Sequence, residues 1–75
     1  MRLAELKKGN RAKIIKINAE SALRDRLNSM GVMKGEHLIV RGCSLAKQTM
    51  KIEIEGTLIA LRAEEAKKIE VEKTD

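Results

Sequence analysis

Phenylalanine, tyrosine, tryptophan and proline are all absent from this 75-residue chain, and cysteine and histidine occur once each. The missing aromatics remove the ring platforms on which sugars and unpaired bases usually stack. They also leave the core to Ile, Leu, Val, Met and Ala, within an apolar fraction of 43%. A single cysteine, Cys43, excludes an internal disulfide and fits a reducing compartment. A single histidine, His37, without a paired acid or nucleophile, cannot build a catalytic triad. The tract from Gly31 to Gly35 lacks the Lys-Ser/Thr that completes a phosphate-binding loop. No apolar run approaches the ~20 residues of a membrane span or forms the apolar stretch of a secretory signal. These absences point to a cytoplasmic, non-enzymatic protein with no cofactor and no direct membrane insertion, whose function lies in its shape. A chain of this length makes one domain, residues 1–75, with a thin core that buries only about 60–65% of the unfolded surface.

Charge is abundant and uneven. Sixteen basic and eleven acidic residues give a net charge of +5. Residues 1–18 carry six bases and one acid, whereas residues 48–75 carry five bases and seven acids. The basic end suits an acidic protein surface, a phospholipid or a nucleic acid. It equally suits a solvated surface that keeps a small protein soluble.

Along the chain, Leu3-Ala4-Glu5-Leu6 fits one helical turn and Lys7-Lys8-Gly9-Asn10 a reversal. Ala12 to Ile17 reads as a strand whose adjacent Ile14 and Ile15 break alternation, as a bulge would. A helix is expected from about Ala19 to Met30, with Asn18 or Ser21 as N-cap and Leu23, Leu27 and Met30 on its apolar face. Gly31 stands where a helix end needs φ > 0, and Gly35 marks a turn before the strand His37–Arg41. The connection Gly42 to Lys47 follows. Met50 to Glu55 alternates, with Met50, Ile52 and Ile54 inward and Lys51, Glu53 and Glu55 outward. Gly56 sits in a tight hairpin turn leading to the strand Thr57–Arg62. Ala63 to Lys68 fits one helical turn, Ile69–Glu72 a last strand, and Lys73-Thr74-Asp75 a frayed end. The expected fold is therefore mainly β: about five short strands, with a helix between the first two and a one-turn helix before the last. Such a sheet removes its edges most economically by closing into a small barrel, the last strand pairing with the first.

The ordered set Arg26-Leu27, Met30-Gly31-Val32, Gly35, Leu38, Val40, Gly56, Ala60-Leu61-Arg62, Glu64-Glu65-Ala66 and Ile69-Glu70-Val71 resembles the ferrous iron transport protein A family. The likeness runs from about Leu3 to Glu72. It implies an SH3-like barrel acting beside the ferrous iron permease, a membrane protein with a cytosolic G domain. The same module forms the C-terminal, metal-sensing domain of iron-dependent repressors, but this chain starts at Met1 with no upstream helix-turn-helix, which favours a free-standing protein. The family often carries Pro where Lys34, Ser44 and Gln48 stand here, so the loop between the middle strands is expected to be more mobile.

Candidate residues follow from these readings. Leu45 in the Gly42–Lys47 connection is explained by no strand alternation. It either plugs the open end of the barrel or, with Arg41, Cys43 and Lys47 beside it, anchors a protein partner. Cys43 itself reads as a small apolar residue at a strand end. His37, Glu53 and Glu55 are the only weak candidates for a metal, since outward Glu on a strand is normally solvated and a His–carboxylate set needs more ligands. Met30, Met33 and Met50 read as core. A small basic barrel that binds nucleic acid is the alternative function, and the missing aromatics and acidic C-terminal third count against it.

Overall fold

The computed structural model describes residues 1–44, 46 and 48–75. Five antiparallel strands form one sheet in the order β4-β3-β2-β1-β5: β1 (Arg11–Ile17), β2 (His37–Cys43), β3 (Thr49–Ile54), β4 (Thr57–Arg62) and β5 (Ile69–Lys73). Helix α1 (Ser21–Ser29) joins β1 to β2, the single turn α2 (Ala63–Ala66) joins β4 to β5, and a 3-10 turn, Leu3–Glu5, precedes β1. The last strand pairs with the first as expected, but no ladder joins β4 to β5, so the sheet bends without closing its hydrogen-bonded ring. α2 occupies the gap.

Local chemistry explains the elements. The register between β1 and β5 shifts between Ile14 and Lys16, and Ile15 is extruded to 39% exposure while Ile14 stays buried at 1%. That bulge is what two adjacent isoleucines required. α1 begins at Ser21, two residues later than expected. Asn18 lies just past β1, its N–H donating to the Lys68 carbonyl at 2.7 Å, and neither Asn18 nor Ser21 caps the helix; Glu20 holds that position without a side-chain bond. At the other end Gly31 takes φ 99° and its N–H donates to the Asn28 carbonyl (3.0 Å), while Val32 N–H donates to Leu27 (2.9 Å). This is a Schellman closure, and the residues it links, Leu27 and Val32, are both fully buried. β2 runs on to Cys43 rather than stopping at Arg41, because a register shift between Val40 and Gly42 lets the strand bend and keep pairing with β3.

The core is aliphatic throughout: Ile14, Leu27, Val40, Ile52, Leu61 and Ile69 are among its fully buried members, with Leu23 and Met30 packed at its margin. Met33, expected in the core, is 41% exposed because it lies beyond the helix closure, at the start of the turn whose Glu36 N–H returns to its carbonyl. The C-terminal end does not fray: Thr74 N–H donates to Arg11 carbonyl at 2.8 Å and the Asn10 amide reaches Asp75 at 3.5 Å.

Replacing Gly31 isolates the backbone requirement, since a Cβ built there meets nothing within 4 Å. Gly31→Ala is expected to cost about 1 kcal/mol from its positive φ alone. Gly42→Ala, equally unobstructed and without a positive φ, serves as the control and leaves thermal stability nearly unchanged. Equal melting temperatures for wild type and Gly31→Ala would refute the strained closure.

Candidate functional site

Where the gap between β4 and β5 is filled by α2, the molecule has a cleft of about 300 Å³. Ala4, Met50, Ala63 and Ala66 supply its apolar lining, with Cys43 and Ala46 also on its wall. Small side chains leave room there, and Thr49, Lys67 and the exposed Cys43 thiol add polar groups to its wall. Cys43 stands at the end of β2 and is exposed, because the strand leaves the core after its bulge.

α2 is positioned by one buried acid. Glu65 is 5% exposed, accepts the Arg62 N–H at 2.9 Å, and takes the guanidinium of Arg26 on its second oxygen. Arg26 is half exposed, so this ion pair joins α1 to α2 at the protein surface while its acid lies inside. Glu64 and Glu65 are neighbours in the expected helical turn. The structure separates them: Glu64 is exposed and Glu65 anchors the turn. Neighbouring acids in sequence carry no signal that one of them will be buried.

The loop after β2 is tied at its ends. Ser44 N–H donates to the Thr49 carbonyl and Thr49 N–H donates to Ser44 Oγ, both at 2.9 Å. Proline at position 44 could make neither the N–H bond nor the hydroxyl bond. Gln48 supplies the carbonyl that accepts Ala63 N–H. Of the four residues expected to bind a partner, Arg41 is exposed and pairs through Nε with Glu53 Oε1 (2.9 Å), and Cys43 borders the cleft; Leu45 and Lys47 lie outside the described residues.

The three weak metal candidates share one shallow cleft: His37, Glu53 and Glu55 line it with Arg11. Glu53 is already engaged by Arg41, and Arg11 adds a second cation. Among the described residues no three His, Cys, Asp or Glu side chains converge as a metal-holding group. Gly35 and Gly56 sit in turns with φ 94° and 81°.

Residues 1–73 match the FeoA domain family model. The chain belongs to the FeoA family. It is 41% identical over 71 residues to a putative Fe(2+) transport protein A of Campylobacter jejuni, covering 95% of this chain and 96% of that protein. It is 35% identical over 72 residues to a Porphyromonas gingivalis fusion of Fe(2+) transport protein A with the Fe(2+) transporter FeoB, covering 96% of this chain and 8% of the fusion. Among solved structures, the FeoA protein of Chlorobium tepidum superposes with a TM-score of 0.93 at 33% identity, over 100% of this chain and 71% of that one. A zinc-complexed FeoA of Stenotrophomonas maltophilia, described as a procaryotic SH3 domain protein, superposes at 0.82 with 28% identity, over 96% and 89%. The FeoA fold of this chain is thus SH3-like, and its family is associated with ferrous iron transport.

Two predictions arise from this geometry. Glu65→Ala strips Arg62 N–H of its acceptor and frees α2, and is expected to lower stability by about 1–3 kcal/mol in denaturant titration; Glu64→Ala, on the exposed neighbour, leaves it within error. Fe(II) or Zn(II) at millimolar concentration is expected to leave the melting temperature almost unmoved, since weak binding stabilises little. Micromolar binding by calorimetry that disappears in His37→Ala or Glu53→Ala would overturn the second.

Proposed function

We propose that this FeoA chain is a non-enzymatic, cytoplasmic accessory protein of ferrous iron uptake that works by direct contact with the ferrous iron permease. The fusion in Porphyromonas gingivalis carries this reading: a segment 35% identical to this chain shares a polypeptide with the transporter FeoB. Two modules joined by a linker meet at high effective concentration, a standing arrangement that benefits modules acting on one another. No described helix is long and apolar enough to cross a membrane, so the partner supplies the membrane-spanning part.

The contact surface in this reading is the end of β2 and the connection after it: Arg41, Cys43, Leu45 and Lys47. Arg41 and Cys43 are exposed, and the apolar cleft walled by Cys43 has room for a side chain of the partner. An apolar centre rimmed by cations suits a permease segment of mixed acidic and apolar character, such as the surface of a cytosolic G domain. Neither alternative, nucleic-acid binding or metal sensing within a repressor, has an observation of comparable weight behind it.

Capture of the cognate permease's cytosolic portion by this chain tests the proposal directly. Leu45→Ser is expected to weaken that capture about tenfold or more, the effect of losing an interface anchor, with the melting temperature unchanged. A drop of about 2 kcal/mol or more in stability would instead make Leu45 a core residue and move the contact elsewhere. Tight, steeply salt-dependent retention of nucleic acid on a filter, with no capture of the permease, would favour the basic-barrel alternative.

A further inference from the structure

The two edges of the sheet are treated differently. At the β5 edge, Val71 N–H donates to the Met1 carbonyl at 2.8 Å, the Met1 amino group reaches the Val71 carbonyl at 3.3 Å, and Arg2 bridges Glu70. The N-terminal residues thus cover that edge as a short extra pairing.

At β4 nothing comparable occurs among the described residues. The turn joining β3 to β4 has two central residues, Glu55 and Gly56, both with positive φ (49° and 81°), between the paired Ile54 and Thr57. In such a type I′ hairpin the flanking pair is hydrogen-bonded, and bonded pairs then alternate along the ladder. Ile52–Ile59 and Met50–Leu61 are therefore the bonded pairs, and Leu58, Ala60 and Arg62 turn their N–H and C=O groups away from β3. Arg62 confirms the assignment: its N–H is captured by Glu65 rather than by the sheet. Among the described residues, the outward backbone groups of Leu58 and Ala60 have no partner.

This edge also lacks the usual protection. Strands that must not pair carry Lys, Pro or a bulge. β4 has none of them: it reads Thr-Leu-Ile-Ala-Leu-Arg, its register is continuous, and Leu58 is 57% exposed, the most exposed large hydrophobic among the described residues.

We propose that β4 pairs antiparallel with β4 of a second copy, forming a two-fold dimer in which the two sheets become continuous. The covered β5 edge decides the geometry. A head-to-tail β4-to-β5 contact, which would build rings or filaments, is blocked by Met1 and Arg2, and the two-fold β4-to-β4 contact is what remains. The strand is also its own complement. With Ile59 opposite Ile59 of the second copy, Leu58 faces the small Ala60 twice, and Arg62 of each copy comes beside the Glu55-Gly56 turn of the other. Large meets small and cation meets anion, with four outward-facing residues exchanging backbone bonds.

The test uses the full chain in sedimentation and amide exchange from about 10 μM to about 1 mM, where a small interface of this kind associates. A monomer–dimer equilibrium is expected, in which the Leu58 and Ala60 amides become protected as concentration rises. Leu58→Lys, at an exposed position, is expected to keep the melting temperature and raise the dimer dissociation constant at least tenfold; Arg62→Glu, which sets acid against Glu55, shifts it in the same direction. A chain that stays monomeric throughout, or a dimer that Leu58→Lys leaves intact with both amides unprotected, overturns the proposal. So does protection of the two amides by the permease's cytosolic portion alone, which would assign the edge to a different partner.

Discussion

A buried carboxylate, Glu65, sits where this sheet fails to close. With β4 and β5 unpaired, the segment between them needs another anchor, and α2 is a single turn, far too short to be stable by its own hydrogen bonds. Glu65 supplies it by accepting the N–H of Arg62 from within α2's own start and the guanidinium of Arg26 from α1. Ala66 then packs into the core at 1% exposure, and Ile69 follows at the head of β5. An acid taken out of water is costly unless its oxygens are occupied; here both are. The half-exposed Arg26 keeps its own desolvation small while neutralising the charge inside.

What could be read from the chain before its structure was the part controlled by local periodicity. Alternation in Met50–Glu55 fixed which faces point inward, the Ile14-Ile15 doublet required an extruded residue, and the Gly31 position required a left-handed helix end. These features rest on contacts a few residues apart, so sequence spacing carries them. The failures involve partners far away in sequence. Asn18 is tied by its N–H to Lys68, fifty residues on, and the helix starts only after it, at Ser21. Cys43 continues β2 because of a bulge whose cause is the pairing with β3. Met33 looked like core by its spacing and lies outside because the chain has already turned. Barrel closure was inferred from the general cost of open edges, yet Met1 and Arg2 cover only the β5 edge, and α2 fills the gap beside β4 without pairing its outward backbone groups. The candidate site was legible only in outline: residues near the end of β2 were named, while the alanines of 3-10 turn and α2 that shape the cleft carried no signal of their own.

The described residues offer little chemistry of their own. No three potential metal ligands converge among the described residues, and every buried polar side-chain atom there is satisfied. What the surface does offer is shape: an apolar cleft beside α2, a strand end with an exposed thiol and an arginine, and an unpaired backbone edge on β4. Without aromatic side chains to supply large, rigid anchors, a partner must be held by small apolar recesses, by charge and by main-chain hydrogen bonds.

The motif that relates the chain to FeoA proteins can be given a physical reading in these terms. Its first half supplies Arg26 and Leu27, its second half Arg62, Glu65 and Ala66. In the folded chain those two halves meet: Arg26 pairs with Glu65, whose other oxygen holds Arg62, and Ala66 turns toward the cleft that Ala63 also lines. The pattern therefore describes the device that seats α2, and seating α2 is what shapes the cleft. Gln48 and Thr49 stand at the cleft's other side. Ser44 makes two bonds to Thr49, and the Gln48 carbonyl fastens the first residue of α2 through Ala63 N–H. The loop and the turn are thus joined by main-chain bonds, so a partner that enters the cleft touches both sides of one connected unit.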